Sequence, residues 1–248
     1  NIDLIIHDEC HSIQNRTTQE FYNYICKKNM STKCIGFSAT PNLEIFPFNN
    51  ILSEYTIYDA FTNDVILPPK IKWVNSDNVL TDTDYFYICY YNIKDLHYKK
   101  IIVWCGIIEK CYELSILWKK LLPNFHIYTD TSKNSDDELN EYLNMEKNAI
   151  LFCACKHREG SDIKNLDCCI FLDKVENRNA NTFVQCIGRV LRKNDNKNHG
   201  LILDLNASSC IKICDRMNEY LNSKNSFPWN YYYTERIVQK KKFIEHTL

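Results

Sequence analysis

The sequence predicts an α/β protein built on parallel sheets, and three observations carry that prediction. Short apolar runs recur along the chain, stretches of helical periodicity separate them, and small polar or acidic residues stand where the runs end. The runs "IDLIIH" (2–7) and "KCIGFSAT" (33–40) read as strands covered on both faces, with a helix over 17–28 between them. A short helix or turn follows at 57–63, then an extended stretch broken by Pro68 and Pro69. Residues 76–98 are polar and rich in Asp and Tyr, show no clear periodicity, and read as a linker or insertion.

From residue 100 the alternation restarts. "KKIIVWCG", "NFHIYTD", "NAILFCAC", "DCCIFLD" and "GLILDL" read as strands, with helices over 107–121, 135–144 and 180–192. A terminal helix over 209–223 and an aromatic, basic tail complete the reading. The resulting map assigns 1–72 to the C-terminal part of a first α/β domain and 73–98 to the link. It assigns 99–208 to a complete second domain and 209–248 to the terminal helix and tail. Because the chain opens at Asn1 directly on an apolar run, upstream sequence is expected to be missing.

Composition bounds the rest. Of 248 residues 45% are hydrophobic, enough to bury a core and to exclude wholesale disorder. Thirty basic and 31 acidic side chains leave a formal net charge of -1, which excludes a strongly basic coating protein but not a motor that grips phosphates locally. Thirteen cysteines invite a disulfide or zinc reading, yet the count is odd and no C-x-x-C pair exists. His7, Cys10 and His11 crowd one strand end and do not form a chelating set. Most cysteines sit in apolar runs, where a thiol acts as a small hydrophobe, and Cys155 is read as a buried strand cysteine. An intracellular, reducing compartment is expected, and no run reaches membrane-spanning length.

Three constellations carry chemistry. Asp8 and Glu9 stand at the end of the first strand, where α/β sheets bind ligands; one carboxylate of such a pair can hold hydrated Mg²⁺ while its neighbour activates water. Ser38, Ala39 and Thr40 end the next strand. Third, "REGSDI" (158–163) precedes a predicted helix on which Gln185, Arg189 and Arg192 fall at i, i+4 and i+7, on one face. Two permanently charged forks on one face suit a polyphosphate, and Gly188 would let a partner approach it closely. Each motif alone also has a plain reading: a solvated turn, a capped strand end, a basic helix face paired with acids.

Together these residues resemble the ordered motifs of superfamily 2 helicases: "DECH" motif II of the DExH type, "SAT" motif III, "IIVWCG" (101–106) motif IV, "REGSDI" motif V and "QCIGRVLR" (185–192) motif VI. "YTIYDAFTNDVILPP" (55–69) resembles the exit from the first lobe, and the motif V–VI detail looks most like helicases of large cytoplasmic DNA viruses. The resemblance spans residue 2 to about 205. It implies two RecA-like lobes, the first truncated at its N-terminus, that use ATP and Mg²⁺ and bind DNA or RNA largely through the backbone. By the same resemblance Asp8 holds Mg²⁺ through water and Glu9 is the general base, with His11, Ser38 and Thr40 coupling the nucleotide site to the second lobe. Gly160 and Asp162 contact nucleotide ribose and the neighbouring lobe, Gln185 sits at the lobe interface, and Arg189 and Arg192 reach the γ-phosphate when the lobes close. If the source is viral, the cytoplasm, viral factory or virion is implied. One departure is plain: no G-x-x-x-x-G-K-[ST] loop occurs, so this chain alone is expected to be inactive, awaiting a missing N-terminal lobe. A motor on duplex DNA in a restriction- or chromatin-type complex, and a non-catalytic remnant that merely binds nucleic acid or a partner, are the alternatives.

Overall fold

A computed structural model describes residues 2–38, 46–55, 57–74, 79–133, 136–158, 162–173, 180–206 and 234–237. The chain divides into two units, Asn1–Tyr55 and Thr56–Leu248.

The first unit pairs β1 (Leu4–Asp8) with β2 (Lys33–Phe37) in parallel, from Leu4 opposite Lys33 to Asp8 opposite Phe37. A 3-10 turn (Cys10–Gln14) and helix α1 (Arg16–Lys28) connect them. Tyr22 of α1 is buried and takes up His7 of β1, with its hydroxyl 2.9 Å from the imidazole Nδ1. The β1 run was expected to be covered on both faces; its burial alternates instead. Leu4, Ile6, Ile35 and Phe37 stand between 37% and 63% exposed, because α1 covers the opposite face of a sheet only two strands wide.

The second unit begins with α2 (Ile57–Thr62) and β3 (Pro69–Val74). Next come α3 (Asp82–Ile93), β4 (Lys100–Trp104), α4 (Ile108–Leu121), β5 (His126–Asp130) and α5 (Asp137–Asn144). The unit continues through β6 (Ala149–Cys153), β7 (Cys168–Phe171), α6 (Ala180–Val190), β8 (Gly200–Asp204) and β9 (Thr234–Ile237). All seven strands form one parallel sheet in the order β5-β6-β4-β7-β8-β3-β9. Two apolar layers flank it. Ile102, Trp104, Leu151 and Phe171 join residues of α5 and α6 on one face; Ile101, Val103, Phe152 and Ile170 join Phe86 of α3 and Trp118 of α4 on the other. Strands β4, β6, β7 and β8 are buried at every position, as continuous apolar runs predict for a sheet covered twice.

Three sequence boundaries are corrected. The division falls after Tyr55 rather than after residue 72, since β3 bonds to β8 and β9 of the second sheet. The stretch read as a linker contains α3. Its weak amphipathicity hid it, because Phe86, Cys89 and Ile93 face the core while Tyr90 and Tyr91 stay exposed. Its start was nonetheless written in the sequence: Thr81 and Asp84 cap each other, with the Thr81 hydroxyl accepting from the Asp84 N–H at 3.2 Å and the Asp84 carboxylate accepting from the Thr81 N–H at 2.8 Å. In the stretch read only as an aromatic, basic tail, Thr234–Ile237 extend the sheet as β9. The predicted terminal helix over 209–223 lies outside the described residues.

Candidate functional site

In the first unit the acidic pair closes β1. The Asp8 carboxylate accepts from the backbone N–H of Glu9 at 3.0 Å. Glu9 adopts φ 53° and ψ 47°, the left-handed region that a Cβ disfavours, and it begins the 3-10 turn there. That turn brings His11 back toward the neighbouring strand end, where its Nδ1 lies 3.2 Å from the Ser38 hydroxyl and 3.3 Å from the Glu9 carboxylate. Three of the sequence-predicted residues therefore meet at the C-terminal edge of the β1–β2 pair, with Asp8 beside them. Thr40 lies outside the described residues.

In the second unit the C-terminal edge of the sheet is built from the ends of β5, β6 and β7. Two buried aspartates grip three consecutive basic residues that follow β6. Asp130 accepts from Lys156 Nζ at 2.8 Å and contacts His157 Nε2 at 2.5 Å; Asp173 accepts from Arg158 at 2.8 Å. The Trp104 indole N–H donates to the carbonyl of Lys156 at 2.9 Å, pinning the same loop from beneath. The carbonyl oxygen of Arg158 in turn accepts from Nε and Nη2 of Arg189 at 3.4 and 3.3 Å. Arg189 is 7% exposed. Beyond the helix end at Val190, Arg192 is exposed, bridges to Ile66 and forms an ion pair with Asp162.

Gln185 lies on the same face of α6, with both amide atoms shielded from solvent and without a hydrogen-bond partner among the described residues. Gly160 lies outside them. Around Gly188 an added Cβ would meet nothing within 4 Å, so no element of this chain among those described makes the close approach its sequence position invited.

Two family descriptions match the chain: "Helicase conserved C-terminal domain" over residues 85–194, and "Type III restriction enzyme, res subunit" over residues 1–43. Each match covers less than half of the chain. No curated protein matches the chain. Among solved structures, the type ISP restriction-modification enzyme LlaBIII bound to DNA is 15% identical with a TM-score of 0.68, over 95% of this chain and 21% of that one. Dbp5 of S. cerevisiae bound to RNA and ADP BeF3 is 14% identical with a TM-score of 0.62, over 95% and 59%. Mss116p bound to ssRNA and AMP-PNP is 13% identical with a TM-score of 0.64, over 96% and 49%. At such identities these likenesses concern the fold, and the chain spans less than two thirds of each protein.

Arg158 and Asp162 come from "REGSDI", and Gln185 and Arg189 share α6 as their spacing predicted. Arg192 is corrected, because the helix expected to reach residue 192 ends at Val190 and Arg192 lies beyond it, bridged to Ile66. Sequence reasoning gave no role to Asp130 or Asp173. Both had the signal that singled out Asp8, a carboxylate at the end of an apolar run, in "NFHIYTD" and "DCCIFLD". Cys155 is corrected: β6 ends at Cys153, and Cys155 is exposed in the bend that follows. The other cysteines of the second unit's described residues are buried free thiols, as their apolar surroundings predicted.

An Mg²⁺–nucleotide group fits the chemistry at the first strand edge. Asp8 is exposed, offers hard oxygen donors, and has spare lone pairs beyond the one taken by the Glu9 N–H. Among the described residues no set of three metal-ligating side chains converges. No described helix is long and apolar enough to cross a membrane.

Proposed function

We propose that this chain is part of a DExH-type, ATP-driven nucleic-acid translocase or helicase, contributing its water-activating carboxylates and its arginine-bearing second lobe. The observation that carries the reading is the contact set around His11. A side chain three positions beyond the end of the "DECH" strand lies within hydrogen-bonding distance of both Glu9 and Ser38, as coupling between motif II and motif III requires.

Bound nucleotide would bring Mg²⁺ and a transferable phosphoryl group. Asp8 is the residue that would hold the ion, through water. Glu9 would accept the proton of the attacking water, and its left-handed backbone turns its carboxylate away from the path of the strand toward His11. Arg189 and Arg192 would stabilise charge on the phosphoryl oxygens once the lobes close, and Gln185 and Asp162 would line that closing face with Gly160. DNA or RNA, gripped through its phosphates, is the proposed partner. The motif detail points to a large cytoplasmic DNA virus as source and to a reducing compartment as the place of action.

The test is nucleic-acid-stimulated phosphate release. The 248-residue chain alone should show none, lacking a phosphate loop. Joined behind such a loop it should turn over, and Glu9→Gln should abolish turnover while ATP still binds. Turnover that survives Glu9→Gln overturns the proposal. A second reading, a duplex-tracking motor of the restriction type, draws on the match of residues 1–43; translocation without strand separation would favour it.

A further inference from the structure

A helix leaves its last carbonyls without partners of its own, and those of α6 must be satisfied close to the two arginines. Leu191 O accepts from the backbone N–H of Leu67 at 2.8 Å. Val190 O and Arg192 O both accept from one side chain, the ammonium of Lys197, the second at 3.5 Å. The same ammonium donates to Leu166 O at 2.6 Å. Lys197 is 9% exposed, so a cation has been carried into the interior to make these bonds. Leu166 lies four residues beyond Asp162, the ion-pair partner of Arg192. One nitrogen thus joins the end of the arginine helix to the segment that carries its acidic partner.

The surroundings leave little slack. At Gly200, an added Cβ would lie 2.6 Å from Val190 O, so the end of α6 rests directly on the start of β8. Asp167 is buried beside this site, its carboxylate accepting from the N–H groups of Tyr98 and Lys99 at 2.7 and 2.8 Å.

We propose that Lys197 is a positioning residue for Arg189 and Arg192: its protonated amine fixes the last turn of α6 against the Leu166 segment and thereby sets where both guanidiniums stand. The role of those guanidiniums toward phosphate rests on the function proposed above; their placement by Lys197 does not.

Burial lowers the Lys197 amine to about 8, which gives the placement a handle in solution. Other titratable groups face it. Burial raises the Asp167 carboxyl above its ordinary value, and burial raises Cys168 well above an ordinary thiol. His199 is lowered, by burial first and then by Lys70 and Lys197. Cys169 is buried in the strand.

The experiment follows the side-chain Nε–H signals of Arg189 and Arg192 by NMR in the whole 248-residue chain as pH is raised through 8. Both signals should move with a midpoint near that of Lys197. Lys197→Arg, which cannot deprotonate, should hold them at their low-pH positions across the range. Lys197→Met should displace them at neutral pH and erase the titration. If Lys197→Met does not fold, the wild-type titration and its absence in Lys197→Arg decide the matter. Arginine signals that ignore pH in the wild type, or that titrate identically in Lys197→Arg, overturn the proposal. Phosphate release is a separate readout, so a failure of the ATPase reading would leave this result standing.

Discussion

The guanidinium of Arg189 donates to the carbonyl oxygen of Arg158, at 3.3 and 3.4 Å, and the side chain of Arg158 is itself clamped by Asp173 at 2.8 Å. Arg189 is thus held by the backbone of Arg158, whose side chain is held in turn by a carboxylate just past the end of β7.

Removing Arg158 takes its guanidinium away from the Asp173 carboxylate, which is 2% exposed. Breaking one side of a buried pair costs about 3–5 kcal/mol. Arg158→Met should therefore destabilise the second unit by about 3 kcal/mol in urea unfolding. Simultaneous replacement of Asp173 by Asn should recover a large part of that loss, and the double-mutant cycle measures how much.

Two glycines on either side of the arginine-helix terminus should respond oppositely to the same substitution. Gly200→Ala drives a methyl group into Val190 O and should cost roughly 1–3 kcal/mol. Gly188→Ala enters open space within a helix and should raise stability by about 0.5–1 kcal/mol. If nucleotide or the opposite lobe approaches Gly188 closely during turnover, the stabler variant will be the slower one, and thermal unfolding beside an activity assay separates the two effects.

Thr81→Ala should uncap α3 at a cost of about 1 kcal/mol, read as a lowered urea midpoint. Asp84→Asn should retain part of the cap.

Alkaline pH should weaken the fold. Burial raises Tyr22 to about 12, burial and then neighbouring Cys26 raise Cys34 to about 11, and burial raises Cys89, Cys153 and Cys168 above an ordinary thiol. These groups stay protonated in the folded chain after the unfolded chain has begun to ionise. Their contribution is complete below the ordinary thiol value of 9.0 and declines as pH rises beyond it, by about 1.4 kcal/mol per pH unit for each group in its window. Lys197 acts with the opposite sign. Its folded value is lowered from 10.5 to about 8, so between those values the unfolded chain binds more protons and stability rises with pH. Denaturation midpoints measured under reductant should fall above pH 9, and should fall more steeply in Lys197→Met.

The second sheet was legible because its strands are continuous apolar runs buried on both faces, a pattern with one plausible architecture. Helix α3 was not, because a row of tyrosines blurs the contrast between its buried and exposed faces, and only the Thr81–Asp84 cap betrays it. The spacing of Gln185 and Arg189 put both on one helix from sequence alone, but not Arg192, which the chain carries past the helix end at Val190 into a bridge with Ile66. Asp130, Asp173 and Lys197 escaped because their partners lie 26, 15 and 31 residues away, at distances no local pattern records. Cys155 was misread because an apolar run says where a strand lies, not the residue at which it leaves the sheet.

The bare side of the β1–β2 pair governs how this chain behaves in a tube. Leu4, Ile6, Ile35 and Phe37 present an oily strip on a sheet that, among the described residues, is two strands wide. Concentrated samples should self-associate through this strip, and a polar replacement at Ile6 and Phe37 is the direct route to a well-behaved preparation.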